Sequence, residues 1–167
     1  MLIPSRRQVD AFCGSPTTLY QRIVAILAPA ILLGTLVYLL VIWNSLPVRI
    51  PMNYNMTGEI TGYGGRATLL IMPIIGLVMD LSIALVERFP KSWNTGVRVT
   101  VLNRVRVYRL VRTLMADLRL ACAVMFSGFA VYQSTLPEHF SGNVTGLMIL
   151  LTLAPLVAYF IRLRRAR

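Results

Sequence analysis

Few residues of this chain are of types that do chemistry, and they are widely spaced. Asp80 is the sharpest of them, a lone carboxylate inside an otherwise uncharged apolar run over 67–86. It sits about six residues from the end of that run, or ~9 Å at helical rise. A carboxylate deep in a bilayer costs about 2.5–3.5 kcal/mol on insertion scales, so it must face a protein interior or a partner. Arg119 is its natural partner, and the two are expected to form an intramembrane charge pair. Three readings of Asp80 stay open: a structural ion pair, a protonated carboxyl hydrogen-bonded to Ser82 or another polar neighbour, and a functional group. A single carboxylate cannot supply both the acid and the base of a reaction.

The remaining candidates point to ordinary roles. Glu87 and Asp117 lie among arginines and are expected to pair with them. His139 stands beside Glu138 without clustered ligands, so it reads as a solvated loop residue rather than a metal site. Cys13 and Cys122 lack metal-ligand neighbours and read as small buried residues. Asn55-Met56-Thr57 and Asn143-Val144-Thr145 match glycosylation sequons, to which Asn143, close to an apolar run, gives little weight. There is no HExxH, GxSxG, phosphate-binding P-loop, Rossmann glycine pattern or CxxC. No enzyme, cofactor or metal is expected.

The elements that must position these residues are read from hydropathy. The 167 residues are 56% hydrophobic and 14% charged, against roughly 25% charged in a soluble domain. Four apolar runs, over about 23–43, 67–86, 118–136 and 144–161, are each compatible with crossing a hydrocarbon core of about 30 Å. The third is the weakest. The first exceeds the apolar segment of a signal peptide and has no cleavage pattern after it, so an uncleaved span is expected. Pro29, Pro73 and Pro155 fall inside three of the runs and predict kinks. Trp43 and Trp93 sit where interfacial anchors belong.

Charge then orients the spans. The net charge of +11 is blocked between the apolar runs rather than striped along one surface, which argues against nucleic acid as a partner. With both termini inside, fifteen of the seventeen basic residues are cytoplasmic and only Arg49 and Arg66 face out. The expectation is an all-α, single-domain, multi-pass membrane protein of four spans, N-in and C-in. An ordered outer loop joins spans one and two. A basic amphipathic helix, suggested by Val101, Val105, Tyr108 and Val111 among arginines, lies on the inner leaflet before span three and runs into it.

The outer loop, over 46–66, reads LPVRIPMNYNMTGEITGYGGR. Pro47 and Pro51 keep the backbone extended, and four glycines permit tight reversals. The alternation of Ile50, Met52 and Tyr54, then Glu59, Thr61 and Tyr63, is compatible with a hairpin turning at Met56 to Gly58. A stiff ordered cap on the bundle is the plain reading. At fixed offsets, Leu46, Pro47, Ile50, Pro51, Tyr54, Asn55, Gly58, Gly62, Tyr63, Gly64 and Arg66 resemble the membrane family built on the domain of unknown function 1648. That family is found in small bacterial membrane proteins and at the N-terminus of sporulation-delaying-toxin immunity proteins. The inner segment is similar to the same family at Pro90, Trp93, Asn94, Val97, Thr100, Asn103, Tyr108 and Arg109. Asn53 and Lys91 stand where the family pattern has histidines, so no metal-binding or proton-linked role carries over.

The resemblance implies a bacterial cytoplasmic-membrane protein of the immunity or signalling kind. Its outer loop would sense or bind a ligand such as a peptide toxin through Pro51, Asn53, Tyr54, Asn55, Gly58, Glu59, Tyr63 and Arg66. Its inner face would meet anionic lipid or a protein partner through Trp93, Asn94, Arg104, Tyr108, Arg109 and Arg112. Two rivals stand beside it. One is an accessory subunit of a larger membrane complex, packing through Ser127, Gly128, Ala130 and Gly146. The other is a small transporter or channel subunit using Asp80, for which the spans offer few polar residues.

Overall fold

A computed structural model describes residues 4–14, 16–139 and 141–164. Arg165 and Arg167, counted above among the inner arginines, lie outside the described residues. Among those described, four helices are long and apolar enough to cross a membrane. In chain order the elements are α1 (Arg6–Cys13), α2 (Leu19–Val41), β1 (Arg49–Tyr54), β2 (Ile60–Gly65), α3 (Ile71–Val86), α4 (Arg104–Ser134) and α5 (Gly142–Arg164). Short 3-10 turns at Arg66–Leu70 and Pro90–Ser92 lead into and follow α3. The fold is therefore mostly helical and of the multi-pass membrane class.

Capping residues set the helix starts that hydropathy alone misses. Ser5 and Gln8 form a capping box that opens α1, and Thr18 with Gln21 does the same for α2. Helix α2 thus begins four residues before the apolar run. Both Pro29 and Pro155 lie within continuous helices. Pro73 instead falls in the first turn of α3, where a missing backbone N–H is best tolerated.

The centre of the bundle is α4, which packs on α1, α2, α3 and α5. Its 31 residues span about 46 Å, well beyond a hydrocarbon core. The expected basic helix does run on into span three, and the two form one continuous helix. Residues from Arg104 onward are the first turns of α4 itself, and Val101 lies outside the helix, fully solvated. Tyr108, Val111 and Arg112 are buried there against α1, an element hydropathy does not reveal.

Three apolar clusters stack along the bundle. At the arginine-rich end Val9, Cys13, Trp93, Tyr108, Val111 and Tyr159 pack together. Val24, Ala28, Leu32, Ala116 and Ala123 fill the middle. Here Gly76 lets α2, α3 and α4 meet, since a Cβ on it would lie 2.5 Å from Leu32 Cδ2 and 3.2 Å from Phe126 Cβ. At the other end Leu39, Leu46, Ile50, Leu69 and Ala130 join the strands to the helices. Helix α5 is the least covered of the four long helices, with Leu150, Leu153, Val157 and Phe160 exposed.

Candidate functional site

The family-like loop folds as an antiparallel hairpin, with Ile50 opposite Gly64 and Pro51 opposite Tyr63. Its pairing is irregular between Pro51 and Tyr54. Asn55 organises the turn. Its side-chain oxygen accepts from the backbone N–H of Thr57 at 3.0 Å and of Glu59 at 2.8 Å, and from the Thr57 hydroxyl at 2.6 Å. Its amide donates to Glu59 Oε2 at 2.8 Å. Hydrogen bonding by the Asn55 amide, and after it by Thr57, holds the Glu59 carboxyl below its ordinary value. Gly58 closes the turn at φ 88°, where a side chain is strained.

One face of the hairpin is fastened to the helices. Ile50 and Pro51 are buried, and Gln133 of α4 donates to the Pro51 carbonyl and to Tyr54 Oη, the latter at 3.3 Å. Tyr54 Oη in turn donates to the Pro137 carbonyl at 3.1 Å, and burial pushes its phenol up. Backbone pairing between Glu59 and His139 ties the turn to the α4–α5 connection. Arg66 donates to the Trp43 carbonyl at 3.0 Å and its guanidinium sits 4.8 Å from that residue's ring centre. Asn53, Thr61 and Tyr63 face away, with Tyr63 62% exposed and Met56 fully exposed. Of the loop residues singled out, Pro51, Tyr54, Asn55, Gly58 and Arg66 build and fasten the hairpin, whereas Asn53 and Tyr63 are displayed.

At the opposite end, charged side chains join helices. Arg119 of α4 meets Asp80 of α3 in a two-pronged contact, Nε to Oδ1 at 2.7 Å and Nη2 to Oδ2 at 3.0 Å. The same guanidinium reaches the Ala25 carbonyl of α2 at 3.4 Å and Glu87 at 3.7 Å. Both Arg119 and Asp80 side chains are only 7% exposed. Arg112 binds Asp10 of α1 at 2.6 Å, and Thr17 donates to the same carboxylate at 3.0 Å. Asp117 accepts from the Tyr20 hydroxyl rather than from an arginine.

The residues read as an inner contact face are largely turned inward. Trp93 is buried, its indole N–H donating to the Val86 carbonyl at 2.8 Å, so it is a packing residue rather than an interfacial anchor. Tyr108 lies between Phe12 and Trp93. Arg104 donates to the Phe12 carbonyl and stacks on its ring, and Asn94 accepts from Gly96 N–H. Asn94 and Arg109 are exposed. Burial pushes the Cys13 thiol up. Among the described residues no cluster of histidine, cysteine and carboxylate side chains is arranged to hold a metal ion.

Two features escaped sequence reading. Gln133 marks only the fading end of an apolar run in the sequence, yet it fastens the hairpin; its polarity inside that run was the available signal. Asp10 lies in a short charged segment, and nothing in its spacing indicates Arg112, 102 residues away, as its partner.

Comparison with known proteins fits this geometry. Residues 30–77 match the family model for the domain of unknown function DUF1648. The similarity noted over Pro90 to Arg109 lies outside those residues. An uncharacterized protein of Archaeoglobus fulgidus is 24% identical over 142 residues, covering 75% of this chain and 78% of its own. No solved structure matches. The chain is thus a multi-pass membrane protein with a segment similar to the DUF1648 family, which runs from within α2 through the whole hairpin into α3.

Proposed function

We propose that the chain is a non-enzymatic receptor-like protein of the bacterial cytoplasmic membrane, both termini inside, whose hairpin binds a peptide ligand outside the cell. One observation carries the reading: a hairpin fastened by Gln133, Tyr54 and Arg66 leaves Met56 and Tyr63 displayed on its free side. An ordered backbone that presents apolar side chains loses little entropy on binding, so even a small contact area is effective. The family resemblance supplies the ligand class, a membrane-active peptide toxin against which the chain protects. Sidedness follows from the basic residues, which gather at the end away from the hairpin.

The test is a Met56→Ser/Tyr63→Ala variant in cells challenged with a panel of membrane-active peptides. These side chains fasten nothing, so abundance and insertion should be unchanged while protection falls at least tenfold. Undiminished protection at normal abundance would remove the hairpin from the mechanism.

A second reading, an accessory subunit, is favoured by the bareness of α5 and by Gly128 and Gly146, beside which there is open space for a neighbouring helix. A stoichiometric membrane partner retained through purification in mild detergent would favour it. A transport role for Asp80 has less support, since Arg119 engages both carboxylate oxygens.

A further inference from the structure

At the arginine-rich end, α1, α2, α3 and α4 enclose a cavity of about 390 Å³. Its charged lining residues are Arg6, Arg88, Arg112 and Arg119 with one carboxylate residue, Glu87. Asp10 holds Arg112 and Asp80 holds Arg119. Four cations against three carboxylates leave one positive charge, which belongs to the Arg6 and Arg88 side of the cavity. Arg88 donates to the Pro4 carbonyl at 3.3 Å, and neither it nor Arg6 is in an ion pair among those between described residues. The opposite wall is apolar, formed by Ala25, Leu81, Ala84 and Leu85. Leu81 is 70% and Leu85 48% exposed, so this wall continues onto the face that α3 turns to the bilayer.

We propose that this cavity is a binding site for the headgroup of an anionic phospholipid. Its single unbalanced positive charge matches one phosphodiester. Guanidinium groups suit phosphate oxygens because their N–H donors form a planar fork. The Leu81–Leu85 wall lets the glycerol and upper acyl carbons stay in apolar contact while the phosphate reaches Arg6 and Arg88. The cavity lies where α3 gives way to Glu87 and Arg88, the depth at which a headgroup sits beside a span. Basic pockets between spans are a recurrent way of holding acidic headgroups. Bound lipid would bridge α1 to α3, adding a contact between the N-terminal segment and the bundle. The site does not depend on the hairpin reading; only the choice of leaflet rests on the proposed orientation.

The full chain, purified in mild detergent, is to be titrated with phosphatidylglycerol and phosphatidylcholine and the retained lipid counted by native mass spectrometry. Phosphatidylglycerol should bind at one per chain and phosphatidylcholine at least tenfold more weakly. An Arg6→Gln/Arg88→Gln variant should lose at least tenfold in phosphatidylglycerol affinity. Lys91→Gln/Arg98→Gln, which removes two charges from exposed residues at the same end outside the cavity, should lose less than twofold. Equal losses in both variants would mean diffuse surface attraction and overturn the site, as would unchanged binding in the first. Competition by inorganic phosphate as strong as by the lipid would assign the cavity to a free anion instead. Because neither Arg6 nor Arg88 is in an ion pair with another described residue, the first variant should keep its unfolding midpoint in detergent without added lipid. A collapse of that midpoint would make the two arginines structural and overturn the assignment.

Discussion

Asp80 and Arg119 illustrate what a buried charge does in an apolar bundle. Each side chain is 7% exposed, so neither ion is solvated, and the two-pronged contact compensates the lost hydration. Removing one partner leaves the other stranded. Asp80→Leu and Arg119→Met should each destabilise by about 3–5 kcal/mol, measured by unfolding in detergent. The double variant should cost less than either single one, because no deeply buried uncompensated charge remains once Glu87, 24% exposed, is the only carboxylate that loses Arg119. Additive losses would mean that the pair is not coupled. At the other end Gly58, at φ 88°, makes a simpler case. Gly58→Ala should cost about 1–2 kcal/mol through left-handed strain, measured by unfolding in detergent.

The hairpin is the element whose behaviour follows most directly from such residues. Its hold on α4 depends on the Gln133 amide, which serves Pro51 and Tyr54 together. Gln133→Leu leaves the buried Pro51 carbonyl without that donor and should cost about 1–3 kcal/mol of docking. Faster hydrogen exchange at Ile50 and Met52 than at mid-bundle residues would show it; uniform acceleration would point to a general packing defect instead. The turn should also respond to acid. Glu59 has a lowered pKa in the folded hairpin, so the unfolded turn binds a proton more readily than the folded one. Its contribution is complete above the ordinary carboxylate value of 4.5 and is lost as pH falls through the lower folded value. Exchange of the Glu59 amide should therefore show extra acceleration below about pH 4.5, corrected for intrinsic rates, and Glu59→Gln should abolish that dependence. The proline–glycine punctuation made this element legible as a hairpin, because Pro51 and Gly58 restrict the backbone locally. How it is fastened was not legible: the partners Gln133 and Pro137 are about eighty residues away, with contacts set by how α4 and α5 pack.

Across the whole molecule, legibility follows the physics of lipid. Spans α2, α3 and α5 announce themselves because a bilayer demands length and apolarity, and local sequence supplies both. The start of α4 and all of α1 are different. There, Arg112 and Tyr108 are buried by tertiary contacts with Asp10 and Phe12, so charge reads as surface in the sequence and becomes interior in the fold. The proposed orientation rests on the same arginines, because it depends on where charge lies along the chain rather than on how deeply it packs. Moving the arginine-rich end across the membrane would carry α1, the 87–103 connection and the base of α4 with it, against only Arg49 and Arg66 near the hairpin. Insertion should therefore be uniform. With the native Cys13 and Cys122 both buried, background labelling should be low. A membrane-impermeant maleimide applied to intact cells should modify a Met56→Cys variant, since Met56 is fully exposed. An Arg98→Cys variant, also exposed, should react only after permeabilisation. The opposite pattern would put the hairpin in the cytoplasm, where it could not meet an extracellular peptide, and would move the anionic-lipid cavity to the outer leaflet without emptying it.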